Sequence, residues 1–265
     1  MNKAKAEVDG DPLQNLLLAA MPPAELAKIR PILELVNLKH DDVLWEADEK
    51  RKYVYFPTTA IICLLYESDE GDSIEVGMTG RKGMVGVVTF MGDSRMAKRA
   101  IVHHAGKAYR MRAKDVEDQF DLCSYFHDIC LCYTQTLLAQ LSQNAICNRL
   151  HSVEQQVCRY LLNNHDDLQT DTFLMTHEQI SNVLGVRRES VSVATASLRD
   201  GGWIKAQRGK ITLLDRKRLE ARACECFGVV QEQYDRILGD YAAKNRAVPA
   251  KKTDRSQKPA SGSPA

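Results

Sequence analysis

The sequence has no apolar run approaching the roughly 20 residues of a membrane span. Its opening stretch, MNKAKAEVDGDP, lacks the apolar core of a secretory signal. Neither a membrane protein nor a secreted one is expected, and the chain is assigned to the cytoplasm. Eight cysteines in 265 residues do not amount to a disulfide scaffold, and in a reducing compartment they stand as thiols. Several enzyme signatures are missing too. There is no phosphate loop of the Walker type, no HExxH, no paired CxxC and no readable Ser-His-Asp arrangement, so neither catalysis nor a metal site is expected.

Charge is nearly balanced overall, at +1, but it is unevenly placed. Residues 176–218 hold nine Lys and Arg against four acids, a local charge of +5. Such an excess makes a candidate polyanion-binding face, although a solvated basic surface would look the same.

Residues 12–38 read as short packing helices punctuated by Pro12, Pro22, Pro23 and Pro31, with Leu16, Leu17, Leu26, Ile29, Leu33 and Leu35 as apolar positions. From Val43 to Met111 the pattern changes to short β-rich runs: YVYFP, AIICLLY, SIEVGMT, MVGVVTF and AIVHHAG. Turn residues EGD, TGRKG and MGDSR separate them, which predicts a barrel, roll or sandwich. Between Asp115 and His165 neither proline nor glycine occurs, and a long helix is predicted. Leu131, Leu138, Leu141 and Ala145 recur along it at helical spacing, with Thr134 and Asn148 filling the same narrow seam. The stripe suits pairing with a second copy; packing on the β domain is the alternative, but the helix is too long for a small roll to cover. A further helix runs from Val153 through Val157 to Leu161 and Leu162.

Residues 168–214 form a compact unit. TFLM reads as a short strand and THEQ as a capping box, with Thr176 capping a helix of Ile180, Val183 and Leu184. Gly185 turns the chain, a second helix covers about 187–200, and WIKAQ and KITLL make a hairpin through Arg208-Gly209. Residues 215–243 read as one more amphipathic helix, and the remainder as a disordered basic tail.

Helix, glycine turn, helix and basic hairpin make the layout of a winged helix-turn-helix, whose second helix enters the major groove while the first crosses the backbone. Arg188 is expected to read guanine and Glu189 cytosine, with Ser192 one turn on and Val193 against a thymine methyl. Thr176, His177, Arg187, Arg208 and Lys210 are expected on phosphates. Val191, Ala194 and Leu198 face inward.

The segment HEQISNVLGVRRESVSVATASLRDGGWI followed by RGKITLLD resembles the reader of the Crp/Fnr family. These are bacterial regulators built from a cyclic-nucleotide-binding-like β-roll, a long dimer helix and a C-terminal DNA reader. The resemblance covers roughly residues 40–228. It implies an α+β fold: N-terminal helices over 1–39, a jelly-roll-like sensor over 40–114, a dimerisation helix over 115–150, the winged helix-turn-helix over 151–228, an extension over 229–243 and the tail over 244–265. Arg188 and Glu189 fall on the family's base-reading pair, whereas Val193 falls where a further base-reading arginine is expected. The implied partners are double-stranded DNA, a second copy of the chain and RNA polymerase.

The resemblance also bears on the effector. In the family's cyclic-AMP binders a Gly-x-x-Gly-Glu turn and an Arg-Ser-Ala segment hold ribose and phosphate. Here Gly83 and Gly86 are kept, Val87 stands in place of the glutamate, and Lys98 and Arg99 stand where arginine and serine would be. Valine cannot bond a ribose hydroxyl, so cyclic AMP held in the usual way is not expected. Lys98 and Arg99 retain anion-binding capacity for another phosphorylated ligand, and an empty structural roll fits equally. The family's iron-sulfur sensors use N-terminal cysteines, and this chain has none before Cys63. Cys123, Cys130, Cys132 and Cys147 along the helices, and the C-x-C of Cys224 and Cys226, read as small core residues, with a thiol switch as the alternative. His103 and His104 share a strand and face opposite sides, which opposes a shared metal site and leaves haem ligation by one of them. The rival to a DNA reader is a ligand-sensing dimer whose winged helix makes protein contacts.

Overall fold

The computed structural model describes residues 10–67, 73–92, 98–122 and 124–239. After a 3-10 turn, two short helices, α1 (Leu16–Ala19) and α2 (Pro23–Ile29), precede the first strand. Asn15 pins them to the rest of the domain. Its Oδ1 accepts from Leu18 N at 3.1 Å, and its Nδ2 donates to the carbonyls of Pro57 and Gly83, both at 2.8 Å. The buried amide is tolerated because these bonds replace its water.

Among the described residues seven strands follow: β1 (Glu34–Leu38), β2 (Val43–Trp45), β3 (Tyr53–Pro57), β4 (Ile61–Glu67), β5 (Ser73–Thr79), β6 (Arg99–His104) and β7 (Gly106–Arg112). They form two antiparallel sheets in the orders β1-β7-β3 and β2-β6-β4-β5, a roll, one of the three forms that the spacing left open. One buried cluster includes Trp45, Tyr55, Ile62, Ala100 and Val102. A second joins Val54, Phe56 and Met111 to Leu17, Leu18 and Ile29 of the N-terminal helices.

Two sequence readings are corrected. Residues 34–38 form a strand, not the end of a helical stretch, because Pro31 removes a backbone donor and β7 offers a ladder in which Arg110 grips the Glu34 carboxylate at 2.7 and 2.9 Å. MVGVVTF is not a strand either. Val85 alone bridges to Tyr55, and Gly86, at φ +114, turns the chain into a 3-10 turn over Val87–Phe90.

The helix predicted over 115–150 is two, α3 (Ala113–Asp121) and α4 (Tyr125–Leu150), and the further helix expected from Val153 is α5 (Val153–Leu168). Serine makes both breaks. Ser124 Oγ accepts from Phe126 N, and Ser152 forms a capping box with Gln155, local bonds that end a helix without proline or glycine.

The C-terminal unit comprises β8 (Thr172–Leu174), α6 (His177–Leu184), α7 (Arg188–Asp200), β9 (Ile204–Gln207) and β10 (Lys210–Leu213), with sheet order β8-β10-β9. Its core includes Val157, Leu161, Phe173, Ile180, Val191, Leu198 and Ile211. The single helix expected over 215–243 is interrupted. α8 (Arg216–Arg222) ends where Ala223 is extended, α9 (Cys226–Tyr234) begins after Glu225, and a π-helical turn over Asp235–Gly239 closes the described chain. Residues 240–243, the basic tail and Cys123 lie outside the described residues. α9 folds back on the roll, where Tyr234 Oη donates to the Lys82 carbonyl at 2.6 Å and Lys82 Nζ donates to Gln231 Oε1 at 2.7 Å. No helix among the described residues is long and apolar enough to cross a membrane.

Candidate nucleic-acid interface

The Thr176 capping box starts α6: Thr176 Oγ1 accepts from Gln179 N at 3.1 Å, and Gln179 Oε1 accepts from Thr176 N at 2.8 Å. After Gly185 the chain enters α7 with Arg187 at the N-cap and Arg188 as the first helical residue. Val191, Ala194, Thr195 and Leu198 bury one face. Arg187, Arg188, Glu189 and Val193 are exposed on the other, Val193 to 72 %. The wing is a two-residue hairpin in which Arg208 and Gly209 both have positive φ, +47 and +72, as a type I′ turn requires. The Gly209 carbonyl also accepts from Met175 N at 2.7 Å, which seats the wing beside α6.

Helix and wing enclose a polar groove lined by Thr176, His177, Arg188, Ser192, Arg208 and Lys210. Six of the nine residues expected at the interface therefore meet on one concave face. Arg187, Glu189 and Val193 lie outside the groove lining, on the exposed start and flank of α7. Ser192 is already engaged, with Oγ 3.0 Å from His177 Nδ1 and 3.1 Å from the Arg188 carbonyl. Burial, and then the charge of Arg188, hold the His177 imidazole below its usual range. Arg188 Nε lies 3.7 Å from Glu178 Oε2, so an acid of α6 offsets the cation that the helix dipole disfavours. Sequence reading missed Arg199, which also lines the groove. The signal was available, since Arg199 lies eleven residues beyond Arg188, about three turns along the same face.

The pocket of the roll is a separate cavity against α4. Gly86, Val87 and Lys98 line it together with Trp45, Arg51 and Leu138, and its walls are mostly apolar. Arg51 sits over the Trp45 ring at 5.0 Å from the centroid. The other two expected residues are elsewhere. Gly83 packs where a Cβ would collide with the Tyr133 hydroxyl, and Arg99 lies 3.2 Å from Glu46 Oε2. Lys98 and Arg99 therefore do not line one pocket together, as neighbouring residues of extended chain point to opposite sides. His103 and His104 are not among the lining residues.

Residues 155–222 match the family model of the Crp-like helix-turn-helix domain. The C-terminal unit is a Crp-like helix-turn-helix domain. The Crp/Fnr likeness extends to the fold of most of the chain. FixK2 from Bradyrhizobium japonicum superposes with a TM-score of 0.63 at 16 % identity, over 73 % of this chain and 98 % of that one. A CRP/FNR-family transcriptional regulator from Thermus thermophilus gives 0.59 at 19 % identity, over 72 % and 98 %. The c-di-GMP-responsive global regulator CLP from Xanthomonas campestris gives 0.57 at 12 % identity, over 72 % and 99 %. A search of curated proteins gives no match. The α+β architecture of roll, long helix and C-terminal Crp-like helix-turn-helix is thus the Crp/Fnr fold.

Proposed function

We propose that the protein is a transcription regulator, not an enzyme, that binds a pseudo-palindromic DNA operator as a homodimer. The observation that carries this reading is the groove. Arg188, Arg208 and Lys210 converge with exposed side chains on the face formed by the first turn of α7 and the wing, where a duplex would supply the missing negative charge. Arg188 and Glu189 read base edges from the N-terminal turn of α7, with Val193 beside them. Arg187, Arg208, Lys210, Thr176 and His177 grip phosphates. Ser192, tied to His177, holds that imidazole in place more than it reads a base.

Homodimerisation is supported by α4, whose Leu131, Leu138 and Ala145 stand exposed at seven-residue spacing, the two leucines to 48 % and 60 %. Leu141 completes the seam. With two recognition helices related by a two-fold axis, half-sites fall about 34 Å apart. Leu138 and Leu141 also line the roll pocket, so an occupant there would touch the dimer helix and bias the separation of the readers. The pocket's apolar walls and Val87 disfavour cyclic AMP. Contact with RNA polymerase follows from the regulatory role.

Selection of bound sites from random duplex DNA tests the proposal. A two-fold symmetric consensus, with affinity falling steeply as salt rises, is expected. Equal binding of selected and random duplexes, or none at low salt, would overturn it in favour of a protein-contact module.

A further inference from the structure

Cys147 in the last turns of α4, His151 at its C-cap, and Cys224 and Cys226 around the start of α9 come together although 72 residues of chain lie between His151 and Cys224. Their three sulfurs and one ring nitrogen all lie within 4.8 Å of one another. Cys147 Sγ is 3.5 Å from Cys224 Sγ, and Cys226 Sγ is 3.4 Å from His151 Nδ1. A tetrahedral zinc with Zn–S of about 2.3 Å and Zn–N of about 2.0 Å has edges of about 3.8 Å between sulfurs and about 3.5 Å from sulfur to nitrogen. The Cys147–Cys224 and Cys226–His151 pairs lie close to those edges, and no pair among the four exceeds 4.8 Å.

Apolar packing alone does not account for the setting. The three cysteines form a buried cluster of their own, apart from the main cores. Polar groups are nevertheless aimed at them. His151 turns Nδ1 toward the thiols while its Nε2 lies 3.1 Å from Glu225 Oε1, the arrangement in which a carboxylate orients a metal-bound imidazole. Gln143 Nε2 lies 3.0 Å from Cys226 Sγ as a donor, a bond that suits a thiolate. Spacing explains the assembly: Cys147 and His151 are four apart on one helical face, and the break after α8 brings both cysteines of the C-x-C to that face.

We propose that Cys147, His151, Cys224 and Cys226 form a Cys3His site for one divalent cation of the zinc class. Three thiolates and an imidazole select a borderline-soft metal, and four protein ligands leave no open position, so the role is structural. Binding exchanges three thiol protons for the cation, changes no oxidation state and leaves a complex of net charge −1. The guanidinium of Arg159, buried to 7 % exposure and acting on Cys147, offsets that charge. Because His151 is the junction between α4 and α5, the cation locks the hinge between dimer helix and reader to the start of α9.

The test uses the full chain, purified under reducing conditions from zinc-supplemented cells and analysed by plasma mass spectrometry. One zinc per chain is expected, exchangeable for cobalt(II) with the visible absorption of tetrahedral thiolate coordination, and three protons are released when zinc returns to the stripped protein. Cys147→Ser and Cys226→Ser should lose the metal. Since either change in a buried cluster can unfold the chain, Glu225→Gln provides the second variant. Its side chain is 71 % exposed, and zinc affinity should fall about 10- to 100-fold with an unchanged circular dichroism spectrum. Four results would each overturn the site: no zinc or cobalt bound by the folded, reduced protein; wild-type zinc affinity in a Cys224→Ser/Cys226→Ser double variant; an iron-sulfur chromophore; or a Cys147–Cys224 disulfide in place of metal.

Discussion

Tyr160 of α5 places its hydroxyl 3.1 Å from Nε2 of His103 on β6, so a side-chain hydrogen bond ties α5 to the roll. Burial first, and then the charges of His40 and His104, bring the His103 imidazole down to about 4, while burial pushes the Tyr160 hydroxyl up. At neutral pH the ring is uncharged and its Nε2 can accept the phenol proton. Because the folded value lies below the ordinary 6.5, the stability that this group contributes is present above pH 6.5 and lost as pH falls toward 4. Tyr160→Phe should cost about 1 kcal/mol at pH 7.5, and His103→Asn should flatten the acid limb of a denaturation series. A wild-type acid limb in His103→Asn would remove that residue from the acid response.

Glu75 on β5 gives the opposite slope. Burial pushes its carboxyl up to about 7 from 4.5, while a hydrogen bond with Cys63 opposes the shift. A raised folded value means that the stability is fully present below about pH 4.5 and is lost as pH rises through 7. Glu75→Gln should therefore raise stability at pH 8 by on the order of 1 kcal/mol and change it little at pH 4.5. Urea titrations at the two pH values read the difference; parallel curves for wild type and variant would contradict it.

Arg188 and Lys210 line the same groove from helix and wing, but their loss should read differently. Arg188→Ala should weaken the selected operator by about 1–3 kcal/mol and relax preference at one base pair. Lys210→Ala should weaken all duplexes alike and reduce the salt slope by about one. Fluorescence anisotropy on matched and mismatched duplexes separates the two, and full sequence preference in Arg188→Ala would remove it from the reading role.

Val193, 72 % exposed on α7, is where the Crp/Fnr resemblance implies a further reader. Val193→Arg should shift the selected half-site by one position toward guanine, with about 1–3 kcal/mol of new discrimination. An unchanged consensus would mean that this flank of α7 does not reach the bases.

Ala145 is exposed on the seam of α4, so Ala145→Glu should leave the protomer folded and weaken self-association by at least about tenfold, or 1.4 kcal/mol. Sedimentation velocity reports the stoichiometry. A wild-type dimer in this variant would move the interface off the seam.

Much of the reader was legible in the sequence because its signals are local. The Thr176–Gln179 box, the Gly185 turn, the inward Val191, Ala194 and Leu198, and the Arg208-Gly209 hairpin each depend on residues within a few positions. Strands β3 to β6 were readable for the same reason. The new helix at Val153 was readable as well, but the break near 123 was not, because Ser124 competes for backbone bonds that a proline and glycine count does not register.

What the sequence by itself determined is the order of the elements, the local charge of +5 and the chemistry available on α7 and the wing. Tertiary structure alone decided which distant groups share an environment. It made 34–38 a strand by supplying β7, sent Arg99 to Glu46 and Lys98 to the pocket, and set Cys224 and Cys226 against Cys147 and His151. The physical reason is that propensity and capping act over a few residues, whereas ladder pairing, burial and ligand geometry act between side chains whose separation along the chain carries no record of their separation in space.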